Sequence, residues 1–173
     1  MLNAEDRARF EQIVLPHLDA AFNLAAWILS SRTDAQDAML RAFRFFESFY
    51  GGDTRAWLLP IVRNTCYTWL EKNRRMKMTD QFDEQLHTES SATPESIAIA
   101  GEARERLARA LQTLPPRFRE VIVLRELEGR SYKEIAAIAS IPIGTVMSSL
   151  SRARRQLHSA LAKGAGGEDT HGL

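Results

Sequence analysis

Apolar residues recur at three- and four-residue steps along most of this chain, a spacing that gathers them on one side of an α-helix. Phe10, Ile13, Val14, Leu18, Ala21, Phe22, Ala25, Ile28 and Leu29 predict one amphipathic helix with a wide apolar face. Ser30-Ser31-Arg32-Thr33 ends it. Thr33 or Asp34 can cap the next helix, where Asp37 adds favourable charge in the first turn and Ala38, Met39, Ala42, Phe43 and Phe46 form the buried side. Gly51-Gly52-Asp53 reads as a turn, with Asp53 or Thr54 as the following N-cap. A third helix sets Trp57, Leu58, Ile61, Val62, Thr65, Trp69 and Leu70 on one side and closes in Lys72-Asn73-Arg74-Arg75. Pro60, which donates no backbone hydrogen bond, is expected to kink this helix or mark its start. With 9 Gly and 6 Pro in 173 residues, the chain lacks the turn residues of an all-β sandwich. The expected fold is all-α, and three such helices make a small bundle.

Residues 77–100 are polar, with few periodic apolar positions, and read as a flexible linker. A second module starts near Gly101. Ala103, Leu107, Ala110, Leu111 and Leu114 form its first helix, stopped by Pro115-Pro116. Phe118, Val121, Ile122, Leu124 and Arg125 belong to the next, stopped at Gly129. The boundaries are therefore 8–76, 77–100 and 101–163, with a disordered tail over 164–173. Charge follows the same division. Residues 1–75 carry 10 Lys/Arg and 9 Asp/Glu, residues 76–101 carry 1 and 5, and residues 102–173 carry 12 and 8. A basic module joined through an acidic strap to a near-neutral one points to nucleic acid as a partner of the basic one.

Other classes lose support. A single cysteine, Cys66, excludes a disulfide framework, suits a reducing cytoplasm and reads as a small buried residue. His17, His87, His158 and His171 have no metal-ligand spacing. No phosphate-binding glycine loop and no nucleophile–base constellation appears, so neither an enzyme nor a cofactor is expected. The longest apolar stretch, Ala20 to Leu29, is interrupted by Asn23, too short for a membrane span and without signal-peptide flanks, so no membrane contact is expected.

Residues 131–157 have the mechanics of a helix-turn-helix. Ser131 and Glu134 form a capping box. Ala136 is small where a partner helix must cross closely, Ser140-Ile141-Pro142 supplies a tight turn, and Val146 plugs the seam. Leu150, Ala153, Leu157 and Leu161 continue the inner face, while Thr145, Met147, Ser148, Ser149, Ser151, Arg152, Arg154 and Arg155 face outward. From Ile135 to Gly167 there is no acidic residue, so this surface can approach phosphates and lay its first turn in a major groove. The bland alternative is a helical hairpin with a solvated basic face. In the first module, Trp57, Tyr67 and Trp69 lie among Arg55, Arg63, Asn64, Lys72, Arg74 and Arg75. Strand opening needs a pocket for an unstacked base and cations for the backbone. The two tryptophans also fit a core at helical spacing, which leaves the basic residues and Asn64 as the better functional candidates.

In both modules, over roughly residues 10–162, the chain resembles the extracytoplasmic-function sigma factors of bacterial RNA polymerase. Asp34-Ala35-Gln36-Asp37-Ala38 with Arg41-Ala42-Phe43 is similar to the family's polymerase-binding helix. Arg55-Ala56-Trp57-Leu58-Leu59-Pro60-Ile61-Val62-Arg63-Asn64 resembles its promoter-melting segment, and Phe49-Tyr50-Gly51-Gly52-Asp53 its base-capturing loop. Leu114-Pro115-Pro116-Arg117-Phe118-Arg119-Glu120-Val121 resembles the opening of its second DNA-binding domain. Ser131-Tyr132-Lys133-Glu134-Ile135-Ala136 with Ile141-Pro142-Ile143-Gly144-Thr145-Val146 resembles its helix-turn-helix.

The resemblance implies that the first domain binds the clamp helices of the polymerase's largest subunit through Asp34, Asp37, Arg41 and Arg44. It implies that Tyr50, Asp53, Arg55, Arg63, Asn64, Lys72, Arg74 and Arg75 act on the minus-ten DNA. Tyr132, Lys133, Thr145, Met147, Ser148, Ser149, Ser151, Arg152 and Arg155 fall to the minus-thirty-five duplex, and the second domain also touches the flap of the other large subunit. An anti-sigma protein is a typical further partner. The chain departs from the family pattern at Ser140, where glycine is usual, at Met147 and Ser149, where lysine and arginine are usual, and at Gln36, where an acid is usual. Two other readings of the same residues stay open: a stand-alone helix-turn-helix regulator, and a sigma-mimicking decoy for an anti-sigma protein.

Overall fold

A computed structural model describes residues 3–77 and 96–165. Of the expected linker and tail, residues 78–95 and 166–173 lie outside the described residues. The described residues form eight α-helices and no strand.

The first expected helix is two. α1 (Ala4–Val14), capped by Asn3, gives way to a 3₁₀ turn at Leu15–His17 before α2 (Leu18–Leu29) resumes. Pro16 is the cause, since it has no N–H to continue the ladder. By length and composition the helical run Ala4–Leu29 is long and apolar enough to cross a membrane. Its apolar side is spent on the core instead, because Ala21, Leu24, Ala25 and Ile28 are fully buried. Each such leucine or isoleucine contributes about 1.5–3 kcal/mol through burial. α2 closes on Ser30 in the left-handed conformation (φ 52°), and Ser31 caps α3 (Arg32–Phe43), its Oγ accepting from the Asp34 N–H at 3.2 Å. The cap is thus earlier than Thr33 or Asp34. Gly51 (φ 107°) and Gly52 (φ 96°) make the turn where side chains are disfavoured, and α4 (Thr54–Lys77) follows with Asp53 as its cap. Pro60 lies inside α4 rather than at its start.

In the second module α5 (Ser96–Gln112) begins ahead of Gly101, and only the later part of its expected stripe is buried. Ala110, Leu111 and Leu114 are inside, whereas Ala103 and Leu107 are exposed. α6 (Pro116–Ile122) opens on Pro116 and runs into a wide π turn, Val123–Leu127, where the Glu128 N–H reaches back five residues to the Val123 carbonyl at 3.0 Å. Gly129 (φ 62°) ends it. α7 (Tyr132–Ala139) and α8 (Ile143–Ala165) complete the module. The modules pack together, α2 on α6 and the π turn and α4 on α7, so the buried apolar side chains form one cluster from Val14 to Ala153.

Candidate nucleic-acid interface

The second surface is built by a cap, a turn and a seam. Ser131 Oγ accepts from the Glu134 N–H at 3.1 Å and starts α7. The Glu134 carboxylate does not complete the expected box with Ser131 but accepts from Arg130 Nη1 at 3.0 Å. Ser140, at φ 54°, occupies the left-handed position that ends α7, and its N–H donates to the Ala136 carbonyl. α8 then leaves at 100° to α7, inside the range of helix-turn-helix units. Ile135, Ile138, Val146 and Leu150 fill the seam.

The outer side of α8 is left for a partner. Met147, Ser148, Ser151, Arg152 and Arg155 are exposed, and Thr145 and Ser149 half-buried. Arg154 is drawn aside to Glu126, its Nη2 and Nε donating to Oε1 at 2.6 and 3.2 Å, and that hydrogen bond raises its pKa. Lys133 is exposed, whereas Tyr132 is half-buried beneath the Arg125 guanidinium at 4.7 Å.

The first module distributes its residues differently. Asp34 is half-buried, Asp37 and Arg41 are exposed on α3, and Arg44 is exposed at its C-cap. Leu40 (65% exposed) and Phe45 (54%) stand exposed beside them, apolar residues off the buried stripe that sequence reasoning passed over. Arg41, Arg44 and Phe45 line a groove of about 430 Å³ with Ile61, Asn64, Thr65 and Thr68, so the expected polymerase set and part of the expected DNA set share one surface. Tyr50 is 93% exposed on its glycine turn. Lys72 and Arg74 are exposed along α4, and the side chain of Arg75 lies outside the described residues.

Four of the expected DNA residues hold protein partners, Asn64 among them, its Oδ1 accepting from Arg63 Nη1 at 3.3 Å. Asp53 Oδ1 accepts from the N–H groups of Arg55 (3.0 Å) and Ala56 (3.2 Å), satisfying donors that the first turn of α4 leaves over. Arg55 Nε donates to His17 Nδ1 at 2.9 Å; burial, then the Arg55 charge, lowers the His17 pKa and keeps that nitrogen an acceptor. Arg63 Nε donates to Glu120 Oε1 on α6, and Arg63 Nη2 lies 3.5 Å from Oε2. Tyr67 joins them, its hydroxyl donating to Glu120 Oε2 at 2.6 Å under the Arg63 guanidinium. Burial, and then the Glu120 charge, raises the Tyr67 pKa, so the phenol keeps its proton. The same two causes push the buried Cys66 thiol up to about 12, leaving it no nucleophilic character at neutral pH. Trp57 and Trp69 are half-buried against the core; Trp57 stacks obliquely on Phe49 at 5.0 Å.

Described residues that are all-helical, with an acid-free outer helix in one module and a basic helix in the other, have the make-up of two-part DNA-binding transcription proteins. Residues 13–76 match the model of sigma-70 region 2 and residues 104–157 that of sigma-70 region 4. The E. coli protein "ECF RNA polymerase sigma-E factor" is 36% identical over 131 residues, covering 70% of this chain and 69% of the relative. The Mycolicibacterium smegmatis "ECF RNA polymerase sigma factor SigE" is 31% identical over 160 residues, which is 89% of this chain and 62% of that longer relative. Among solved structures, the sigma factor RpoE in complex with the anti-sigma factor NepR from Bartonella quintana superposes with a TM-score of 0.71 at 30% identity, covering 89% of this chain and 97% of the other. CnrH in complex with the cytosolic domain of CnrY gives 0.62 at 25%, covering 91% and 90%. The chain belongs to the ECF sigma factors of the sigma-70 family.

Proposed function

We propose that this chain directs core RNA polymerase to particular promoters in the cytoplasm, and helps open the DNA there, without catalysis of its own. The observation that carries this reading is the order of its parts: a region-2 module with exposed Asp37, Arg41 and Arg44 beside the basic α4, then a region-4 module whose α8 offers an acid-free outer face. The groove lined by Arg41, Arg44, Phe45 and Ile61 suits a helical surface of the polymerase, since it offers both apolar side chains and cations to a partner. Arg152 and Arg155 suit duplex phosphates, with Thr145, Ser148, Ser149 and Ser151 toward base edges. Met147 offers a thymine methyl an apolar contact where the family pattern has a cation. An anti-sigma regulator is the second partner we propose, supported by the neighbour solved with NepR.

Run-off transcription with purified core polymerase on fragmented genomic DNA tests the reading. Discrete initiation that depends on the chain is expected, and its absence from every fragment would overturn the proposal. Replacing Asp37 and Arg41 together by alanine should weaken capture of core polymerase while leaving the melting curve unchanged. Equal capture would remove those residues from the polymerase surface.

A further inference from the structure

Glu120 lies in the second module, yet it is 2% exposed and the hydrogen bonds to its carboxylate among the described residues come from the first. Arg63 and Tyr67 close on its two oxygens from α4. Beside it on α6, Arg119 Nη1 donates to Ser30 Oγ at the end of α2. A carboxylate buried without a cation would be strongly disfavoured, so Glu120 is tolerated there only because Arg63 meets it. We infer that these contacts form a clasp by which the chain, with no other protein bound, holds its second module against α4 and occupies Arg63.

The clasp sets a carboxylate against a nucleic-acid phosphate for the same cation. Arg63 is one of the residues that the proposed function gives to the minus-ten strand, and while Glu120 holds it this cation is withheld from the strand. This part of the inference rests on that reading; the existence of the clasp does not. The joint is also built to open. Arg119 Nε is buried with no partner among the described residues, a penalty that separation would relieve by hydration. Between α4 and α7 a cavity of about 80 Å³, lined by Arg55, Leu59, Arg130, Glu134 and Ile138 among others, leaves the seam incompletely filled. A partner that binds the separated modules therefore draws them apart by mass action rather than by force.

Small-angle scattering of the full chain, alone in solution, reads the clasp directly. The wild type should be compact and Glu120→Arg expanded, because Arg63 would then face a second cation. The exchange Arg63→Glu with Glu120→Arg should restore the compact form, an outcome that a merely misfolded single variant could not give. Tyr67→Phe, which removes one hydrogen bond and no volume from the core, should expand the ensemble less. If the closed form leaves a tenth or less of the molecules open, Glu120→Arg should bind a fluorescent single-stranded DNA oligonucleotide about tenfold more tightly than wild type. A wild type already as extended as Glu120→Arg would overturn the clasp. Expansion without tighter DNA binding would overturn the masking. Neither result touches the run-off assay, whose failure would sink the promoter reading and leave the scattering comparison standing.

Discussion

α8 and α4 are both long basic helices, and they meet their surroundings in opposite ways. α8 buries Val146, Leu150 and Ala153 against its own module and leaves Arg152 and Arg155 to solvent. α4 buries Leu58, Val62 and Cys66 in its own module, but its cations are divided: Arg55 goes to His17, Arg63 to the other module, and Lys72 and Arg74 to solvent. The lesson is that a run of positive charge defines a binding face only after its intramolecular partners are subtracted. Partners within its own module account for the state of α8; the state of α4 depends on a residue of the other module.

The largest effect should come from removing what α8 rests on. Leu150→Ala deletes a nearly fully buried side chain and should cost about 2–5 kcal/mol in urea unfolding, with duplex binding falling in proportion to the folded fraction. Next, Arg152→Ala with Arg155→Ala should leave stability unchanged and weaken duplex binding. The salt dependence should flatten by about one unit of slope for each phosphate that the variant no longer neutralises. Arg63→Ala, made in parallel without polymerase, should leave that slope where it was; an equal drop would show that α4 and α8 are alike after all. Asp53→Ala should cost about 1 kcal/mol in a thermal melt, because the capping oxygen disappears. An unchanged melt would return Asp53 to the DNA-facing set.

The smallest effect is a pH dependence. The folded chain holds His17 below its ordinary value of 6.5, so between that value and the lowered one the unfolded chain binds the extra proton. Stability should be level above this window and decline as pH falls through 6.5. His17→Gln should remove that part of the decline, measured as the urea midpoint against pH.

Most of the local punctuation could be read from the residues. Gly51, Gly52, Asp53, Ser131 and Gly129 do in the structure what their chemistry suggests, and Ser140 takes a left-handed position at the turn where the family pattern has glycine. Pro16 was an available signal that the strong apolar period of Phe10 to Leu29 obscured, and Ser31 was a capping residue as good as Thr33. The exposure of Ala103 and Leu107 was not legible, because a stripe records which residues can be buried and not how far the neighbouring helix extends. Nor was the fate of Arg63 and Glu120. Each is an ordinary charged residue on its own helix, and only the packing of α2 and α4 on α6 and α7 brings them together. The candidate polymerase residues were found by family likeness, while their apolar companions Leu40 and Phe45 could have been noticed as large residues outside the helical stripe.

The wide turn at Val123–Leu127 works as a phase shifter. A wide turn takes up one more residue than an α-turn and so changes which side chains face which neighbours. In this chain the turn carries Arg125, which lies over Tyr132, and Glu126, which meets Arg154. Excising a single residue there would restore a regular helix and throw both pairs out of step, releasing Arg154 to join Arg152 and Arg155. The number of cations on the outer face of α8 is thus set partly by a counting irregularity two helices upstream.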